Sequence, residues 1–463
     1  MRPLPLSRIA QWTNGRLHAV GGAGDVLIDA VETDTRTLDA SDGRAALFIA
    51  LKGANFDGHD HIAAAAEQGA RAALVSREVD VPLPQVVVAD TERALAAFAA
   101  TLQHARAGKV VGITGSNGKT SVKQLTLAIL AHAGKAYANP GNRNNEIGLP
   151  LAVIDAPDDA DVAIYEMGAG KRGDIAYLTA VARPDVALVN NIAPAHLERM
   201  QSLLGIADTK AAIYDALPHD GVAVINADDA FAPYFAERAH GRRLVRFGLD
   251  ASADVGARDI RLDDEASRFT LVTPAGEADV VLPLAGRHNV ANALAATSIA
   301  LALDVPLAIV ADALSSVQPV KGRLARHRLA NGAILIDDSY NANPGSLNAA
   351  IDTLAAASGE NWLVLGDMRE LGEDAALLHA EAGRRAKQAG IARLYALGPL
   401  SAAATDAFGE GARHFENHGA LVDALRADLH AAVRVLVKGS RGSAMDRIVD
   451  ALLPKEEGEP DAA

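Results

Sequence analysis

Lys109-Val-Val-Gly-Ile-Thr-Gly-Ser-Asn-Gly-Lys-Thr-Ser-Val-Lys123 reads as a buried strand, a tight glycine turn and the start of a helix. Val110, Val111 and Ile113 supply the β-branched run. Gly115 and Gly118 let the backbone turn sharply and aim its N–H groups at an anion, while Lys119 adds a point charge and Thr120 a hydroxyl where the helix begins. With Ser116, Asn117 and Ser121 these residues form a cradle for a nucleoside triphosphate and its Mg2+. The spacing is Thr-Gly-x-x-Gly-Lys-Thr over 114–120; the strict G-x-x-x-x-G-K-[ST] pattern would need its first glycine at Ile113. A glycine-rich connection with no ligand is the competing reading, and the order Gly, Gly, Lys, Thr between strand and helix weighs against it.

Outward from this turn, the chain alternates strands and helices as a parallel sheet covered on both faces does. A helix over 91–107 leads in, and strands at 162–166, 186–190 and 222–226 follow. In open α/β sheets ligands bind beyond the carboxyl ends of strands, where Glu166, Asn190, Asn191 and Asn226 stand. Between 242 and 284 the pattern turns alternating and charge-rich, which predicts an antiparallel excursion before a helix over 289–303. Ahead of this unit, residues 1–90 read as a small α/β domain with strands at 46–51, 72–75 and 86–88 and a helix near 61–68. Behind it, 319–463 read as a second doubly wound domain with strands at 334–337, 362–365, 394–397 and 433–437. The charged tail 455–463 lacks apolar anchors and is expected to be disordered. The expectation is α/β throughout, with domains 1–90, 91–318 and 319–463.

Composition limits the function. Among 463 residues, 49% hydrophobic and 22% charged, there is no cysteine, which excludes disulfides, thiolate metal sites and thiol catalysis. A net charge of -14 argues against a general nucleic-acid or anionic-membrane surface, so an anionic substrate must be met by local basic groups. No apolar run reaches membrane-spanning length, and the stretch Met1 to Arg8 lacks the continuous apolar core expected of a signal peptide. A cytoplasmic monomer without nucleic acid is expected.

Several side chains are placed for chemistry. Glu166, at the end of the strand after the phosphate turn, is placed to bind Mg2+ opposite Thr120; a helix cap or a solvated carboxylate are the other readings. His196 and Lys210, taken alone, are a structural histidine and a solvated helical lysine. Asp337 and Asp338 end a strand where ribose hydroxyls can be held, or where the helix starting at Pro344 is capped. Lys438-Gly-Ser-Arg-Gly-Ser443 repeats the anion logic at the last strand. The polar turns that carry Thr35 and Arg36, and Lys52 and His59, read as solvated loops before ligand sites.

Taken together, the segments resemble one family. Thr-Gly-Ser-Asn-Gly-Lys-Thr120, Asn-Arg-Asn-Asn145, Tyr-Glu-Met-Gly168, Ala-Pro-Ala-His-Leu197, Gly-Arg-His-Asn289, Gly-Arg-Leu324, Asp-Asp-Ser-Tyr-Asn-Ala-Asn-Pro344, Gly-Asp-Met-Arg-Glu-Leu-Gly372 and Val-Lys-Gly-Ser-Arg441 occur in the order and spacing of the Mur ligases, ATP-dependent amide ligases of bacterial cell-wall synthesis. The segments ending at Pro344 and Gly372 are most similar to the member that adds D-alanyl-D-alanine to UDP-N-acetylmuramoyl-tripeptide. The resemblance implies an N-terminal domain for the UDP-sugar, a central P-loop-type ATPase domain and a C-terminal Rossmann-like domain. It also implies that Lys119 meets the transferring phosphate, that Thr120 and Glu166 bind one Mg2+, that His196 binds a second, and that Lys210 is carbamylated beside it. Asn289 and Arg323 match nucleotide contacts and Asp338, before Asp337, the ribose contact. Candidates for contacts to the substrates are Thr35, Arg36, Lys52 and His59; Asn142, Arg143, Asn144 and Asn145; and Tyr340, Asn341, Asn343, Lys438, Ser440 and Arg441. One departure stands out: the family often has Lys-x-Glu where this chain has Lys210-Ala-Ala212. Folate-polyglutamate ligases share the ATP and carbamate features, but the segments ending at Asn145 and Pro344 favour the cell-wall reading. A small-molecule kinase and a non-catalytic nucleotide-binding module are the alternatives from other classes.

Overall fold

The strand Lys109–Thr114 lies inside a six-stranded, all-parallel sheet, in the order Arg243–Phe247, Val222–Asn226, Val186–Val189, Lys109–Thr114, Val162–Glu166, Ala136–Ala138. The chain leaves this strand first to one side and then to the other, so the phosphate turn sits at the topological switch point, where the crossovers part and leave a crevice. Register brings the candidates together: Glu166 pairs with Ile113 and Val189 with Thr114, so Glu166 and Asn190 flank the turn on either side. Helices Lys119–Ala133, Arg287–Ala302 and Leu307–Ser316 pack on one face around Val111, Ile113 and Leu188. The other face is covered by helices Thr91–His104, Gly148–Asp155, Asp174–Ala182 and Leu203–Asp215, and its core runs on without a break into Leu47, Ile49 and Leu74 of the N-terminal sheet. The computed structural model describes residues 1–18, 25–194 and 197–454. His196 and the tail 455–463 lie outside them.

The N-terminal sheet runs Arg16–His18, Gln85–Val87, Ala72–Val75, Ala46–Ile49, Ala30–Glu32, parallel except for its first pair. The C-terminal sheet runs Ala325–Arg328, Ile334–Asp338, Val433–Lys438, Glu360–Gly366, Arg393–Leu397, Ala412–Phe415, with only the first strand antiparallel, and it buries an apolar cluster on each face. The antiparallel excursion is shorter than its sequence pattern predicts: it comprises Gly256–Leu262, Ser267–Thr273 and Gly276–Leu282, whereas Arg243–Phe247 is the edge strand of the parallel sheet. An edge strand covered on one side alternates apolar and charged residues as an antiparallel one does, and Arg243 and Arg246 point to solvent while Val245 and Phe247 are buried. Among the described residues no helix is long and apolar enough to cross a membrane.

Candidate active site

The phosphate turn is shaped by its glycines. Gly118, with φ at +77°, occupies the left-handed region at the N-cap of Lys119–Ala133, and a Cβ there would lie 2.5 Å from both Asn190 Nδ2 and Asn292 Oδ1. Gly118→Ala therefore combines backbone strain with a clash against two buried amides. We expect a loss on the order of 1–3 kcal/mol together with weakened nucleotide binding, measured by thermal melting and calorimetry; a variant with wild-type melting and affinity would show that the turn tolerates another shape. Asn117 is held from both directions, its N–H donating to Asn191 Oδ1 at 2.8 Å and its carbonyl accepting from Asn190 Nδ2 at 2.9 Å. Ser116 is pinned to Ala193 through its hydroxyl. Sequence reasoning placed Asn190 and Asn191 at the cleft but missed that they brace the turn.

Around the turn the charges converge. Lys119 Nζ donates to the carbonyls of Gly115 at 2.8 Å and Ser116 at 3.4 Å. Thr120 Oγ1 donates to Glu166 Oε2 at 2.9 Å, and Asn144 Nδ2 donates to Glu166 Oε1 at 2.8 Å. Burial alone would raise the Glu166 pKa, but the ammonium groups of Lys119 and Lys123, with those two hydrogen bonds, outweigh it and hold the carboxyl below its ordinary value. From the C-terminal domain, Arg323 Nη2 donates to Thr120 Oγ1 at 2.9 Å while its guanidinium stacks 4.4 Å from the Tyr340 ring centroid, and Asn343 Nδ2 donates to Asn117 Oδ1 at 2.7 Å. Two sheets thus meet over one phosphate turn.

These groups line a cleft of about 890 Å3 that also takes in Ser121, Asn142, Asn145, Asn289, Asp338, Asn341, Lys438 and Arg441. Lys210 opens into it from helix Leu203–Asp215 with only 3% of its surface exposed. Burial first, and the Lys119 ammonium second, push its pKa well below that of an ordinary lysine; Asp174 opposes them. Ala212, at the departure from Lys-x-Glu, is half-buried against the apolar core. Lys438 Nζ donates to Asp338 Oδ2 at 2.6 Å and to the carbonyl of Asn341 at 2.9 Å, a nearly dry ion pair at the end of two adjacent strands. Asp337 instead accepts from the Gly322 N–H and from Ser339, so of the two adjacent acids only Asp338 faces the cleft.

Other candidates lie elsewhere. Arg143 extends away to pair with Asp155 at 2.6 Å. Ser440 is buried, bridging the N–H of Arg369 and the carbonyl of Ala342. Thr35, Arg36, Lys52 and His59 belong to loops of the N-terminal sheet and do not line the cleft. Arg36 pairs with Asp34 of its own turn at 2.6 Å. The His59 ring is buried between Asp57 Oδ1 and the N–H of Ser76, fastening one loop to the next strand.

Family models match this chain in order: the Mur ligase family catalytic domain over residues 28–110, the Mur ligase middle domain over 113–300, and the Mur ligase glutamate ligase domain over 322–441. The chain belongs to the Mur ligase family. A UDP-N-acetylmuramoyl-tripeptide--D-alanyl-D-alanine ligase from Escherichia coli (strain K12) is 41% identical over 455 residues, 98% of this chain and 99% of that one. Among solved structures, MurF from Acinetobacter baumannii superposes with a TM-score of 0.91 at 32% identity, covering 98% and 99% of the two chains. A MurF ligase from Thermotoga maritima in complex with ADP gives 0.81 at 26%, covering 91% and 96%. In this Mur ligase the phosphate turn and Glu166 fall within the middle-domain match, and Arg323, Asp338 and Lys438 within the glutamate ligase match.

Proposed function

We propose that this Mur ligase joins D-alanyl-D-alanine to UDP-N-acetylmuramoyl-tripeptide at the expense of ATP. The observation that carries the reading is the convergence of the phosphate turn, the Thr120–Glu166 pair and a buried lysine of depressed pKa in one cleft, in a chain whose full-length relatives bear that activity in their names. Residues 1–90 take the UDP-sugar, 91–318 the ATP, and 319–463 close over the nucleotide and bring the amine. Asn289, Arg323 and Asp338 hold the nucleoside, and Gly115 to Ser121 hold the phosphates.

A carboxylate is a poor acyl donor, so it is activated first. An oxygen of the tripeptide's terminal carboxylate attacks the γ-phosphorus of ATP, the β,γ-bridging oxygen departs with ADP, and an acyl phosphate forms. The amine of D-alanyl-D-alanine then adds to the acyl carbon; phosphate leaves with the former carboxylate oxygen, and the amine sheds a proton as the amide forms. The protein supplies position and charge rather than a nucleophile. Lys119 and the N–H groups of the turn neutralise and orient the triphosphate, and Arg323 adds a second cation from the opposite sheet. Closure over the cleft keeps water from the acyl phosphate.

The donor set suits Mg2+: Thr120 Oγ1 and Glu166 Oε2 are hard oxygen donors 2.9 Å apart, and they are the residues that would hold the ion. What bound Mg2+ contributes is compensation of the negative charge on the transferring phosphoryl group. Lys210 fits a second such position only as a carbamate, since an ammonium would repel a cation. The test is ADP formation and phosphate release from ATP and UDP-N-acetylmuramoyl-tripeptide with and without D-alanyl-D-alanine, both followed. A ligase shows sustained release only when the dipeptide is present, a kinase forms ADP without it, and a binding module releases none.

A further inference from the structure

Lys123 has no role above beyond its charge acting on Glu166, yet its side chain is 1% exposed. It follows Lys119 by one helical turn, and its Nζ donates to the carbonyls of Asn139 at 2.8 Å and Gly141 at 3.2 Å and stands 3.5 Å from Glu166 Oε2. An ammonium so deeply buried is costly unless its donors are taken, and here two carbonyls and a carboxylate take them. Those partners belong to one body. Asn139 accepts from the Glu166 N–H through its Oδ1 and donates through Nδ2 to the carbonyls of Glu166 and Arg143, and Asn144 Nδ2 holds the second oxygen of Glu166. The same loop presents Asn142, Asn144 and Asn145 to the cleft. Glu166 is also reached from the nucleotide side, through Thr120.

We propose that Lys123 is a positioning residue that couples the nucleotide site to the loop 139–145, so that filling one side tightens binding of the sugar-nucleotide tripeptide at the other. The inference rests on the ligase reading above. Packing alone does not call for a charge in this slot, which a methionine stem would fill. An ammonium divides its bonds between the carboxylate and two loop carbonyls. A change in the electrostatic demand on Glu166 therefore reaches the backbone of Asn139 and Gly141, which is the differential contact that coupling between two ligands requires.

The test is calorimetric and uses the full chain: the Kd of UDP-N-acetylmuramoyl-tripeptide, with and without Mg2+ and a non-hydrolysable ATP analogue, for wild type and for Lys123→Met. In the wild type the nucleotide should tighten the tripeptide about ten-fold, within the roughly 5–150-fold range of coupled sites. In Lys123→Met that factor should fall below about two-fold, while the Kd without nucleotide changes less than the factor does. A wild-type factor of one overturns the proposal without any variant. So does a variant that retains the wild-type factor, including one whose two affinities fall in proportion, as loss of a merely structural lysine would cause. Lys123→Gln is read in the same way if the methionine variant does not fold. Failure of the underlying ligase reading looks different: the wild type then binds neither ligand.

Discussion

Lys119→Ala is expected to lower turnover by roughly 10³-fold or more and to leave UDP-N-acetylmuramoyl-tripeptide bound. The ammonium of Lys119 is placed at the mouth of the turn, on the carbonyls of Gly115 and Ser116, and Glu166 attracts it. Charge spreads over the γ-phosphoryl oxygens as the transfer proceeds, so a cation fixed in a cleft with little water counts for more there than in the ground state. Alanine keeps the helix, because it is the best helix former, and the first turn remains packed by Val122 and Leu125. On the proposed reading the tripeptide nucleotide draws on the N-terminal domain and the loop 139–145, whereas the Lys119 ammonium is spent on the carbonyls of Gly115 and Ser116. Single-turnover kinetics and tripeptide calorimetry check this together. A variant that has lost the tripeptide but still turns over ATP would reverse the assignment.

The second large effect belongs to Lys210. Its amine is desolvated and repelled by the Lys119 ammonium, so it holds its proton less firmly than a surface lysine does, and the neutral amine is the form that can add to CO2. On the proposed reading such a carbamate would have the sign of charge that a bound Mg2+ calls for and that the ammonium lacks. The stability linkage agrees. With its folded-state pKa below the unfolded value, Lys210 costs stability at neutral pH and costs less as pH rises from the folded value toward that of a free lysine. Lys210→Ala should lower turnover by about 10²–10³-fold without loss of folding. Acetate at high concentration should restore part of the activity, and chloride at matched ionic strength should not. Full activity in the variant would remove Lys210 from the mechanism.

How much of this was legible in the sequence depended on how local each signal is. The turn from Thr114 to Thr120 could be read because glycine, lysine and hydroxyl occur in one uninterrupted order between strand and helix, and Glu166 because it ends the neighbouring strand. Strands Ala136–Ala138, Ala325–Arg328 and Ala412–Phe415 escaped notice because they are short sheet edges, part exposed, without the apolar run of the inner strands. Lys123 carried a faint signal, since Lys119 and Lys123 stand four apart and share a helix face. Nothing local says that its ammonium is buried, because its partners come from a loop sixteen and more residues on. His59 shows the converse: its polar turn reads as a solvated loop, with a ligand site as the alternative, whereas the ring is buried and spent on holding the turn itself. Asn190 and Asn191, just past strand Val186–Val189, and Asn292 of helix Arg287–Ala302 carry the bracing of the phosphate turn from two separate elements, a convergence that only the fold creates.

The central claim is that a carboxylate oxygen of the tripeptide passes to phosphate while an amide forms. It is tested most directly by labelling that carboxylate with 18O, running the reaction with ATP and D-alanyl-D-alanine, and reading the phosphate by 31P NMR. One 18O atom in each released phosphate, equal in amount to the amide product, is the predicted result; phosphate free of label alongside amide would contradict the acyl phosphate and the mechanism built on it.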